Sequence, residues 1–198
     1  LSNLSISLWA KANAIGTDRG LFYGDDPDAS EQRVGLRHDA SGDNGGQANV
    51  FRSAMRVDNA GTTRNQRSQS STSSATANWQ HLTLTRSDGT ATNLYIDGGY
   101  DTPSWDNLKA GVTTQNSKFL LGKGSNDGAT SSWAGLIDEV RVSNVELSVD
   151  WISTEYNNMT APGSFHTVSV DNELPYLTDI EATPLSYQEN DPATQITG

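Results

Sequence analysis

A chain of 198 residues with 24 acidic and 13 basic side chains carries a formal charge of −11, which argues against nucleic acid or an anionic membrane as its partner. It contains no cysteine, which removes disulfide scaffolds, thiol catalysis and cysteine metal sites. No apolar run approaches the roughly 18 residues of a membrane span, and no basic-then-apolar segment of the signal-peptide kind is present.

Short apolar runs alternate with turn clusters along the chain. Leu4, Ile6 and Leu8 line one face of a first strand. Residues 20–24 form a second run, closed by Asp25-Asp26-Pro27-Asp28, and residues 33–37 a third, followed by a Gly/Asp/Asn turn at 41–46. Residues 48–57 form a fourth. Residues 58–78 are almost wholly polar and read as a long loop, of the kind that is often functional in compact domains. Residues 79–86 and 92–97 flank Ser87-Asp88-Gly89, and Asp-Gly between alternating strands is a hairpin signal because type I′ turns need φ > 0. Residues 98–111 read as another loop, holding Tyr100 and Trp105. Residues 118–122, the turn 125–128 and a last strand at 133–144 follow. One helix is predicted, with Ser148 as N-cap, Asp150 in the first turn, and Trp151, Ile152, Glu155 and Tyr156 along one largely apolar edge. Many short strands separated by turns predict an all-β sandwich.

The last strand carries the most information. Read with period two, Leu136, Asp138, Val140 and Val142 share one face, and Ile137, Glu139 and Arg141 the other. Asp138 thus falls among apolar residues, where an ionised carboxylate is costly without a partner. Arginine, backbone N–H groups or a bound cation would supply one.

The pattern W-x-G-x-I-D-E-V-R-V-S-N from Trp133 to Asn144 resembles the last core strand of laminin-G-like, concanavalin A-like jelly rolls of bacterial extracellular proteins. Ser5-Ile6-Ser7-Leu8-Trp9, Trp79-Gln80-His81-Leu82, Leu94-Tyr95-Ile96-Asp97-Gly98 and Leu120-Leu121-Gly122 precede it in the family's order, and the predicted helix follows it. The resemblance implies an antiparallel jelly-roll β-sandwich over residues 1–168 with one short helix near its end. Residues 169–198 are expected to hold a linker and the first strand of a truncated cadherin-like repeat, which residues 185–197 resemble. That second resemblance implies an inter-domain calcium site using Glu189 with Asp171 or Asn172. Both ends look cut, and the chain is expected to be a piece of a longer secreted or surface-anchored protein whose neighbouring domains are its partners.

Candidate chemistry follows. Related glycosidases carry E-x-D-x-E on one strand face. Here Asp138-Glu139 are adjacent, and strict alternation sends them to opposite faces, so no enzyme is expected. The three histidines, His38, His81 and His166, lack metal spacing. Calcium, which prefers hard oxygen ligands, is the expected cofactor, with Asp138, Asp25, Asp26 and Asp127 as candidate ligands. For Asp138 the alternative is pairing with arginine or backbone. For the turns it is ordinary solvated turn chemistry. Tyr100, Trp105 and Asn126 in loops, and Arg52 and Arg56 on one strand face, are the candidate ligand-binding residues. The aromatics either stack on sugar rings or pack their loop. The arginines either grip acidic glycans or form cross-strand ion pairs. Trp9, Trp79, Trp133 and Trp151 lie in regular elements and are expected in the core. The expected function is non-catalytic binding of carbohydrate or a cell-surface glycan in adhesion. The alternatives are a structural spacer and, third, a polysaccharide-degrading enzyme.

Overall fold

The computed structural model describes residues 3–17, 19–25, 32–40, 47–59, 62–87, 92–107, 118–123 and 132–165. Among them run β1 (Leu4–Ala12), β2 (Arg19–Asp25), β3 (Gln32–Asp39), β4 (Val50–Asn59), β5 (Thr62–Ser74), β6 (Trp79–Arg86), β7 (Thr92–Ile96), β8 (Gly99–Tyr100), β9 (Pro103–Asn107), β10 (Lys118–Leu121) and β11 (Gly135–Ser143), then α1 (Val149–Thr160) and α2 (Pro162–Phe165). The chain divides after Phe165, and the unit from His166 to Gly198 lies outside the described residues. The expected cadherin-like strand, Glu189, Asp171 and Asn172 fall there. No described helix is long and apolar enough to cross a membrane.

The strands form two antiparallel sheets, ordered β11-β1-β6-β7-β8 and β10-β2-β3-β4-β5-β9. Alternation builds the sandwich. Leu4, Ile6, Leu8 and Ala10 of β1, Leu82 and Leu84 of β6, and Leu94 and Ile96 of β7 meet Leu21, Phe22, Val34, Leu36 and Phe51 of the other sheet in one buried cluster. Side chains at every second position make this possible, since neighbouring residues of a strand point to opposite faces.

Three sequence expectations change. The polar stretch read as a loop holds β5, thirteen residues long and paired with both β4 and β9. Its ladder is made by main-chain groups, so it needs no apolar period to form, and period is what the sequence shows. The stretch at 98–111 likewise contains β8 and β9. The expected β6–β7 hairpin is present, running from Leu82↔Ile96 to Arg86↔Thr92, with its Asp88-Gly89 turn outside the described residues. A two-residue turn with both φ values positive sits at Asp97 (51°) and Gly98 (79°), between Ile96 and Gly99.

The third change concerns β11. Ser7 pairs with Arg141 and Trp9 with Asp138, so Leu8 faces both Glu139 and Val140. This is a β-bulge, and Glu139 occupies it with φ 51°. An extra residue shifts the phase of every side chain beyond it. Ile137 and Val140 therefore both pack toward the core. Leu136 is 56% exposed and Asp138 is exposed too. Asp138 does not sit among core residues, because strict alternation fails one residue beyond it.

Candidate functional site

The bulge decides what lies on the outer face of the five-stranded sheet. On β1 that face carries Ser5, Ser7, Trp9 and Lys11, the residues alternating with the core set. Trp9 is paired on one side with Asp138 and on the other with His81. Past the bulge, Ser7 is paired with Arg141. Asp138 and Arg141 are three apart and would point to opposite faces of a regular strand. Here they share one.

Helix α1 covers part of this face. Ser148 caps it, its Oγ accepting from the Trp151 N–H at 3.2 Å. The helix buries Ile152 completely and lays Tyr156 parallel to Trp9, with ring centroids 5.7 Å apart. Gly98 leaves room for that ring, since a Cβ there would lie 2.9 Å from it. Segment 145–147 is tied down through Ser5, whose Oγ donates to the Val145 carbonyl at 2.7 Å and accepts from the Leu147 N–H at 2.9 Å.

A charged network links strand to helix. Arg141 donates to Glu155 through Nη1 and to Glu139 through Nη2, each at 2.5 Å. Ser7 Oγ donates to the same Glu155 oxygen at 3.2 Å. His81 lies beneath, fully buried, with its ring 5.1 Å from Trp9. Burial, and secondarily the Arg141 charge, lower its pKa to about 4. The Glu155 carboxylate is 3.7 Å from His81 Nε2, but Arg141 already compensates it.

Beyond the C-terminal end of α1 this face opens into a cavity of about 270 Å³ lined by Trp9, Trp79, Asp138, Glu139, Met159 and Thr160. Trp79 is 40% exposed, and the buried indole N–H of Trp9 makes no hydrogen bond among the described residues. Asp138 Oδ1 accepts from the Glu139 N–H at 2.8 Å. A second recess of about 400 Å³ lies between α1 and β11, lined by Arg141, Trp151, Thr154, Glu155 and Asn158. The first cavity offers two indoles, two carboxylates and a hydroxyl. Flat apolar faces with hydrogen-bond acceptors at the rim are what a polyhydroxylated ring requires.

The sequence candidates distribute unevenly. Asp138 lines the cavity. Asp138 and Glu139 line it together, not on opposite faces as alternation predicts, because of the bulge. Arg52, expected on a solvent-facing guanidinium row, is instead fully buried, and its Nη2 meets Asp39 Oδ2. That guanidinium is committed to the fold. Tyr100 is 52% exposed on β8, at the sheet edge opposite β11, with its ring against Tyr95. Asp26, Asn126 and Asp127 lie outside the described residues, as do the side chains of Asp25, Arg56 and Trp105. Trp79 and Trp151, expected in the core, are exposed, Trp151 by 62%. For Trp151 the signal was available: Ile152 and Tyr156 define the buried line of α1, and Trp151 sits one position off it. As for calcium, no described group of three or more His, Asp or Glu residues is arranged to hold a metal. At Asp138 the second carboxylate, Glu139, is already occupied by Arg141.

Two antiparallel sheets with this order and one helix near the end make a concanavalin A-like jelly roll. The sequence matches the model of the concanavalin A-like lectin/glucanases superfamily over residues 1–153, and the chain belongs to that family. No curated protein matches the sequence. Among solved structures, the chain is similar to domain 4 of the extracellular arabinanase AbnA from Geobacillus stearothermophilus, in complex with arabinotriose, at 22% identity and TM-score 0.52, covering 77% of this chain and 65% of that one. It is similar to a putative carbohydrate binding protein from Bacteroides ovatus at 19% identity and TM-score 0.53, covering 77% and 40%. It is also similar to the heptameric SAP-like pentraxin of Limulus polyphemus at 15% identity and TM-score 0.55, covering 79% and 70%. The chain thus spans less than two thirds of the arabinanase domain and of the Bacteroides protein.

Proposed function

We propose that this domain binds a neutral carbohydrate at the cavity beside the β11 bulge, without cutting it. The observation that carries the proposal is the placement of Trp9, Trp79 and Asp138 around one cavity. Trp79 offers its face to the apolar side of a sugar ring, and the Asp138 carboxylate accepts from ring hydroxyls. The charged groups lining the cavity are carboxylates, and the nearby Arg141 is matched by two of them. An acidic glycan therefore meets the repulsion of the lining carboxylates; Lys11 stands across from Trp79 on the same face but is not among the described residues that line the cavity. The resemblances to an arabinanase domain with arabinotriose and to a carbohydrate binding protein support the class of ligand. The non-catalytic reading rests on the two carboxylates. A glycosidase needs one carboxyl held protonated in an apolar site, whereas Glu139 is ion-paired and Asp138 exposed.

A glycan array with neutral, uronate and sulfated polysaccharides tests this. Binding is expected on neutral backbones alone, with Trp79→Ala weakening it about tenfold or more, the scale of a central aromatic contact. No reducing ends should be released. Binding confined to acidic glycans contradicts the charge argument, and silence across the array leaves a structural spacer.

In the same proposal the domain is a module of a secreted or surface-anchored adhesin-like protein, followed by the start of a cadherin-like repeat. Calcium belongs to the acidic turns, Asp25, Asp26 and Asp127, and not to Asp138. Added calcium should raise the melting temperature and EDTA should reverse it, since a cation binding only the native state adds about 2.7 kcal/mol at a hundredfold excess over Kd. Asp26→Asn and Asp127→Asn should abolish the response and Asp138→Asn should leave it intact. A response lost with Asp138→Asn alone contradicts that assignment.

A further inference from the structure

The geometry points to a second sugar subsite in the recess between α1 and β11, around Trp151, so that the ligand is an oligosaccharide bound along the β11–α1 seam and not a single terminal sugar. This rests on the carbohydrate reading of the first cavity and extends it.

Three observations carry it. The first is the composition of the recess. Trp151, Thr154, Glu155 and Asn158 recur at the i, i+3, i+4, i+7 spacing of one helix edge. Arg141 and Ser7 hold Glu155, which leaves an indole flanked by a hydroxyl and a carboxamide. Asn158 can donate and accept, and Thr154 likewise. The second observation is that Trp151 is mostly exposed and stands outside the buried core. Ile152 and Tyr156 dock the helix, while Trp151 stays 62% exposed beside Val149 at 50%. A tryptophan that lines a recess among polar groups has the composition of a contact surface, where aromatic residues are enriched.

The third observation is continuity. Glu139 lines the first cavity and Arg141 the second, and the two side chains are joined at 2.5 Å. Asp138 and Arg141 stand across from Trp9 and Ser7, two residues apart on β1, which is about 7 Å at the rise of a strand. That separation exceeds one sugar ring. The seam thus carries an exposed tryptophan at each end and, between them, a network of one guanidinium and two carboxylates. With Arg141 matched by Glu139 and Glu155, the recess suits hydroxyls and not anions, as the first cavity does.

The test is calorimetric titration with arabinose to arabinopentaose and with the xylo- and cello-oligosaccharides of the same lengths. In the series that binds, affinity should rise with each added sugar until both subsites are filled, then level off. Trp151→Ala should weaken the longest ligand about tenfold and leave the shortest binding ligand unchanged. Trp151→Tyr should restore most of the loss, and Trp79→Ala should weaken every length. Because Trp151 is exposed, the melting temperature should not move, which separates a lost subsite from a lost fold. Affinity that does not depend on length, or a Trp151→Ala protein that binds the longest ligand normally, overturns the second subsite while leaving the first. The exposed tryptophan would then point to a protein partner. No binding in any series overturns both.

Discussion

Lowering the pH from 7 toward 4 is expected to cost this fold about 3 kcal/mol through His81 alone. Its imidazole is buried under α1 against Trp9 and Tyr156, and its pKa is lowered to about 4. In the unfolded chain the same group titrates near 6.5. Between those values the unfolded state takes up a proton and the folded state does not, so stability is complete above 6.5 and drains as pH falls toward 4. Arg141 and Glu155 face the ring from β11 and α1, and their mutual bond leaves little net charge to hold an imidazolium. His81→Phe keeps an aromatic ring against both Trp9 and Tyr156 and removes the titration. Denaturant midpoints measured at pH 7 and 5 should differ clearly in the native protein and much less in the variant. Equal pH slopes in the two proteins contradict the assignment.

Breaking the Arg52–Asp39 pair should cost as much or more. Both side chains are fully buried, and removing one member of a buried pair costs about 3–5 kcal/mol, mostly as the penalty of the charge left behind. Register explains why the pair exists. Arg52 stands directly across from Arg37, and Asp39 is two residues further along the same face of β3, so the carboxylate relieves a repulsion between neighbouring strands. Arg52→Met should therefore lower the urea midpoint strongly. Adding Asp39→Leu to it should recover part of the loss, since an apolar pair carries no buried charge. Additive losses in the double variant contradict this account.

The fold was legible where side-chain period reports burial. Leu4, Ile6 and Leu8 lie in the core as spaced. Ser148 caps the helix predicted from it. The order of the strand motifs pointed to the family that the chain belongs to. The site was legible only in Asp138, and for a reason the structure reverses. The bulge is held by Glu139 at positive φ, where a glycine would have announced it. Its position is fixed by β1, more than a hundred residues away in sequence, and no local pattern reports that pairing. For Arg52 a cross-strand ion pair was one of the readings the sequence allowed, and Asp39 on the neighbouring strand makes it; what no local pattern reports is that both side chains are buried. Trp79 read as core because tryptophan usually is, yet it stands at the first position of β6, where the sheet ends and cover runs out.

The central claim is that sugar binds at the bulge, against Trp79 and Trp9. The chain has five tryptophans, and each gives one indole N–H signal in a ¹H–¹⁵N spectrum, assignable by single Trp→Phe substitutions. Titration with the neutral oligosaccharide chosen by the array should shift the Trp79 and Trp9 signals, and with longer ligands that of Trp151, while Trp133 stays in place. Saturable shifts confined to Trp105, with Trp79 and Trp9 unmoved, would put the ligand elsewhere on the sandwich and contradict the account.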